Sequence, residues 1–182
     1  MTSDEVVERV KSARGDDILK AEVALGDAVV HLGPGALHEV AAFLKRDPEL
    51  DFSYLSFISG VDYLDQDREP RFEAVYEFHS IEKNHSIRLR VGLPEENPSV
   101  PTLTDLWPSA NFSERELFDM FGFDVKGHPN LKRLLMPDDW EGHPLRRDYD
   151  LTTEEVAFTH NINYKRELVQ ERTLTRHKPR GD

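Results

Sequence analysis

Two runs of strict alternation limit the folds open to this chain more than any other feature. Phe72, Ala74, Tyr76 and Phe78 take every second position, and Ile87, Leu89, Val91 and Leu93 repeat the pattern. Residues two apart share one face of a strand, so each run has an apolar face and a wet face. Such strands bury one side only, as in an antiparallel or mixed sheet. Phe52 to Tyr63 is a third strand candidate. Upstream, Ile18 to Leu25 and Ala28 to Leu32 flank Gly26-Asp27, which reads as two strands joined by a tight hairpin. Ser3 can cap a helix with Val6, Val7 and Val10 on one face, stopped near Gly15. Leu37, Val40, Ala41 and Leu44 fall at helical spacing before Pro48. The order α-β-β-α-β-β-β predicts an α+β domain over residues 1–93. It is a small mixed sheet of about five strands with two helices on one face.

Beyond Leu93 the character changes. Pro94, Pro98, Pro101 and Pro108 break the chain repeatedly. Ser113 and Glu116 match a capping box, Phe112 and Leu117 a hydrophobic staple, and Gly122 is a natural stop. This predicts a short helix over 114–121 with Leu117, Met120 and Phe121 turned inward. Glu114 and Glu116 would sit in its first turn, where acids are favoured. Residues 94–150 thus form a second segment, a short helix followed by a docking loop. Residues 151–182 hold few large apolar side chains and read as an extended C-terminal arm.

Residues 126–150 are the least ordinary part. Gly127, Pro129, Pro137, Gly142 and Pro144 forbid a long helix, and no alternation appears. A structureless segment of this length is uncommon in a compact domain unless it is functional or disordered. Leu131, Leu134, Leu135, Met136, Trp140, Leu145 and Tyr149 are too apolar for disorder. Burying one such side chain stabilises by about 1.5–3 kcal/mol, and a sheet already covered by helices cannot take them all. Arginines among aromatics are the composition of interface hot spots, so a docking surface is the favoured reading. In the plainer alternative the segment wraps its own domain and the arginines pair with the chain's abundant acids.

Other chemistry is weakly supported. His128 and His143 each precede a proline, and Asp138, Asp139 and Asp148 lie nearby. An independent metal-dependent enzyme built on these is therefore conceivable, but no ligand spacing specifies it. A Gly-His-Pro unit is as easily a rigid bend whose imidazole bonds to backbone. His79 and His85 flank a hairpin and read as surface groups. There are no cysteines, which removes disulfides, thiolate metal sites and Cys nucleophiles. The formal net charge of −12 repels phosphate backbones, so nucleic acid is not an expected partner. No apolar run reaches membrane-span length, and the N-terminus has no signal-like h-region.

The stretch SANFSERELFDMFGFDVKGHPNLKRLLMPDDWEGHPLRRDY, residues 109–149, resembles the signature of the thirty-kilodalton subunit family of respiratory complex I, the C subunits of NADH-quinone oxidoreductases. VPTLTDLWPSA and SGVDYLD upstream are similar to that family too. The resemblance implies a cofactor-free structural subunit of the peripheral arm of a proton-pumping enzyme, not catalytic by itself. Iron–sulfur clusters, FMN and quinone would belong to partner subunits. It implies docking on subunits D and B near the terminal cluster and quinone site, and a peripheral place on the cytoplasmic face of a bacterial membrane. Relatives fed by hydrogenase or deazaflavin modules make the same scaffold role in such a complex the alternative. Expected partner-facing residues are Glu114, Arg115, Asp119, His128, Lys132, Arg133, Trp140, His143, Arg146, Arg147, Asp148 and Tyr149. No catalytic, cofactor or metal residue is expected in this chain. Asp150 stands where the family often has proline, so the arm's exit path is expected to differ.

Overall fold

The structure is a computed structural model that describes residues 1–150. Met1 to Arg147 form one compact unit, and Asp148 begins a second. The expected arm over 151–182 lies outside the described residues.

Helix α1 (Ser3–Arg14) starts from Thr2, one residue before the expected cap. Thr2 Oγ1 accepts the Glu5 N–H, and the Glu5 carboxylate accepts the Thr2 N–H at 2.7 Å. This closes a reciprocal capping box and leaves Val6, Val7 and Val10 buried against the sheet. Strands β1 (Ile18–Ala24) and β2 (Asp27–Leu32) form the expected hairpin. Its two-residue turn is Leu25-Gly26 rather than Gly26-Asp27, because Asp27 already pairs with Ala24. Both turn residues have positive φ, 54° and 95°, the primed geometry that matches strand twist.

Helix α2 (Leu37–Arg46) leads to β3 (Tyr54–Asp62), β4 (Phe72–Ser80) and β5 (His85–Leu93). The sheet order is β1-β2-β5-β4-β3, antiparallel except for the parallel β2–β5 pair. It is the mixed five-stranded sheet that the alternation required. Phe72, Ala74, Tyr76 and Phe78 pair in register with Leu93, Val91, Leu89 and Ile87, and all eight are buried. The other face carries the polar alternates as ion pairs. Arg90 reaches Glu73 at 2.6 Å, Arg68 reaches it at 3.0 Å, and Arg88 reaches Glu77 at 2.7 Å. His85 is not a surface group. Its ring packs on Phe52 and donates to the Leu50 carbonyl at 2.7 Å, fixing the strand start.

The boundary at Leu93 does not separate two cores. Val100, Leu103, Trp107, Leu117, Phe121 and Phe123 join the same buried cluster as the sheet. Helix α3 (Ala110–Phe121) begins four residues before the predicted start, and Ser109 at its cap makes no side-chain hydrogen bond. Bonds from Trp107 N–H to Leu103 and from Ala110 N–H to Trp107 run directly into it. Burial of Trp107 and Ala110 extends the helix past the local Ser113 signal. On either side of α3, β6 (Ser99–Pro101) and β7 (Asp124–Lys126) pair in parallel. Gly60 of β3 lets α3 approach: a Cβ there would lie 2.7 Å from the Phe121 ring.

Candidate docking surface

The loop after β7, as far as Arg147, is tied to α3 along its length and to the sheet at its end. Asp119 of α3 points inward, and its side chain is fully buried. Its Oδ2 accepts the backbone N–H groups of Leu134, Leu135 and Met136 at 2.9, 2.7 and 2.9 Å. Its Oδ1 accepts from Arg133 at 2.7 Å. Burial raises the carboxyl pKa, but these donors outweigh it and hold Asp119 below the usual carboxylate range. The other Arg133 Nη atom donates to the carbonyls of Trp140 and Gly142, so one guanidinium closes the loop on itself. Arg115 donates to the carbonyls of Lys132 and Arg133.

Both Gly-His-Pro units are backbone clamps. His128 Nε2–H donates to the Asn111 carbonyl, and Nδ1 accepts the Asn130 N–H at 3.0 Å. His143 Nδ1–H donates to the Asp119 carbonyl at 3.0 Å. Burial lowers its pKa against the pull of that carbonyl, and nearby Arg146 and Arg133 lower it further. Gly122 makes room for this clamp. It ends α3 in the left-handed region, φ 71°, where a Cβ would overlap the His143 ring. Arg146 donates to the Phe121 carbonyl at 2.5 Å. With both nitrogens of His128 and one of His143 bonded to main chain, the histidines are loop anchors. Among the described residues no three His, Cys, Asp or Glu converge as metal ligands.

The end of the loop is pinned to the sheet. Arg147 N–H donates to Asp62 Oδ2 at 2.9 Å, and its side chain donates to the Leu64 carbonyl. Asp62 also makes a two-point pair with Arg71, both side chains nearly fully buried. Burial alone would raise its pKa; the Arg71 guanidinium and the N–H groups of Arg147 and Leu64 hold it at about 2. A carboxyl with a depressed folded pKa stabilises above its unfolded value, about 3.9, and loses that contribution as pH falls toward the folded one. Denaturant titrations between pH 5 and pH 2 should therefore show the wild type losing about 2 kcal/mol more than Asp62→Asn. Parallel curves would remove Asp62 as the acid-labile pin.

The expected partner-facing residues thus divide. Glu114 and Asp119 are fully buried, and Arg115, His128, Arg133, His143 and Arg146 hold carbonyls of this chain. Asp119, Arg115 and Arg133 bond the loop's main chain, His128, His143 and Arg146 bond carbonyls of α3, and Glu114 bonds Thr102 and Leu103. Lys132 and Arg147 are exposed, and Trp140 is half-buried. Asp148 (exposed) and Tyr149 (half-buried) fall in the second unit. Leu131 and Met136 pack on the core. Phe112, Leu135 and Leu145 remain 61%, 59% and 51% exposed; none of the three was among the named partner-facing residues, although Leu135 and Leu145 belong to the apolar set of the expected docking loop. Phe112 carries the Arg115 guanidinium 5.9 Å from its ring centre. The earlier helix start places Phe112 within α3, off the Leu117–Met120–Phe121 face, instead of in the expected staple ahead of it.

This geometry meets its relatives directly. The description "respiratory-chain NADH dehydrogenase, 30 Kd subunit" matches residues 30–155. The chain belongs to that family. Among 30 Kd subunit relatives, the C subunit of the NADH-quinone oxidoreductase of Roseiflexus castenholzii is 54% identical over 156 residues, covering 86% of this chain and 88% of that one. Its counterpart in Herpetosiphon aurantiacus is 47% identical over 139 residues, covering 76% and 80%. A solved trypsin-resistant fragment of Nqo5, residues 1–134, superposes with a TM-score of 0.62 at 38% identity, covering 72% of this chain and 100% of that one. A chain of a membrane-bound sulfane sulfur reductase, an archaeal respiratory membrane complex, superposes at 0.69 over 98% of this chain and 94% of that one. At 19% identity that likeness shows the fold alone. No helix among the described residues is long and apolar enough to cross a membrane.

Proposed function

We propose that this chain is a cofactor-free structural subunit of the peripheral arm of an NADH-quinone oxidoreductase. It is not catalytic by itself. It docks on the subunits that carry the terminal iron–sulfur cluster and the quinone site, the D and B subunits, at the cytoplasmic face of a bacterial membrane. The supporting observation is a loop whose backbone is braced by buried charges while Phe112, Leu135 and Leu145 stay exposed. Holding three large apolar side chains in water on a rigid frame is unfavourable for a lone protein and favourable at an interface. The family name of the relatives supplies the assembly.

The test is Leu135→Asp combined with Leu145→Asp. Neither side chain is in the core, so the chain's circular dichroism and melting curve should be unchanged. Assembled complex on native gels of membranes should fall roughly tenfold or more, the effect of losing about 1.4 kcal/mol of binding. Wild-type assembly of the double variant would refute the docking reading.

A further inference from the structure

α3 carries a second buried acid that the docking surface does not use. Glu114 is fully buried. Its Oε1 accepts the Leu103 N–H at 2.6 Å, and its Oε2 lies 2.6 Å from Thr102 Oγ1. Three further titratable groups lie near it, none of them a lysine or arginine. Tyr76 of β4 presents a fully buried hydroxyl with no hydrogen-bond partner among the described residues. Asp105, on the segment before α3, is an acid already bonded to His38 of α2. His128, at the start of the loop, places Nε2 at 3.9 Å, beyond hydrogen-bond reach. Its Nδ1 accepts the Asn130 N–H, and its Nε2 is turned to the Asn111 carbonyl. An uncompensated carboxylate in such a place is costly, and a buried group commonly neutralises instead.

We propose that Glu114 is an interior proton-binding site, occupied at neutral pH, in which the acid donates from Oε2 to Thr102 Oγ1. The hydroxyl pair beside it serves either state. Thr102 Oγ1 lies 2.9 Å from Thr104 Oγ1, and either hydroxyl can donate. When Glu114 is ionised, the Thr102 hydroxyl donates to it. When Glu114 is protonated, Thr102 Oγ1 accepts its hydrogen and turns its own toward Thr104. Burial raises the Glu114 pKa, more than the Thr102 and Leu103 donors lower it, and the Asp105 charge adds to the rise. The folded state therefore binds this proton more tightly than the unfolded chain. Its stabilisation is full below the unfolded pKa and is lost as pH rises through the folded one. The inference stands independently of the docking reading.

Infrared spectroscopy of the full chain at neutral pH tests it. The expected result is a protonated-carboxyl C=O stretch that shifts on 13C-glutamate labelling and disappears in Glu114→Gln. Glutamine keeps a carbonyl for the Leu103 N–H and an N–H for Thr102, so it copies the neutral acid. Its stability should also lack the decline that the wild type shows as pH rises. Should that variant not fold, 13C NMR of labelled wild-type glutamates reads the same site as one carboxyl titrating above the ordinary glutamate range. Absence of a protonated carboxyl at neutral pH, or its persistence in Glu114→Gln, overturns the proposal.

Discussion

Asp119→Ala should release the loop from α3 and cost about 3–5 kcal/mol, the range for removing one partner of a buried ion pair. The substitution strands Arg133, 14% exposed, and removes the acceptor for three consecutive backbone N–H groups. Amide hydrogen exchange should show the effect locally. Leu134, Leu135 and Met136 lose protection, as do the residues around Trp140 and Gly142 whose carbonyls Arg133 gathers. Strands β4 and β5 should stay protected up to global unfolding. Asp119→Asn keeps an acceptor but not the charge, so it should lose less. Unchanged exchange at 134–136 in the alanine variant would mean that the loop is held by something other than this carboxylate.

Gly122→Val should be the most damaging glycine substitution. Its φ of 71° costs a branched side chain about 1–2 kcal/mol. The added Cβ would also overlap the His143 ring and lie 2.7 Å from Arg146 Nη2, and such overpacking typically costs about 1–3 kcal/mol. A lowered melting midpoint should accompany loosening of residues 143–147, since both clamps must move together. Gly122→Asn separates the two causes. Asparagine tolerates the left-handed region, so the remaining loss measures crowding alone. A valine variant with wild-type stability would show that the loop can stand off α3.

The sheet was legible because its signal is local. Alternation at 72–78 and 87–93 states which face is buried, whatever lies far away. The pair β6 and β7 was not, because three residues cannot display a period and Pro101 argues against a strand. The Ser113–Glu116 pattern was locally sound but lost to Trp107 and Ala110, whose burial began the helix earlier. That shift changed the meaning of Glu114, from an acid at a helix start to an interior group. Asp119 was named from the resemblance alone, and its role as the loop's anchor had no local signal, since its donors arrive 14 to 17 residues later through a path only the fold defines. The plainer alternative paired the loop's arginines with the chain's acids: Arg133 does pair with Asp119, but Arg146 donates to the Phe121 carbonyl, a main-chain acceptor that composition does not reveal.

The clamps between α3 and the loop grip main-chain atoms, which every amino acid supplies alike. The course of the polypeptide from Leu131 to Arg147 is thus indifferent to what Leu135 and Leu145 happen to be. Those two positions can be rewritten for a different neighbour while the scaffold beneath them stands, which makes this segment a natural place for lineages, or a protein engineer, to retune fit between co-assembled chains.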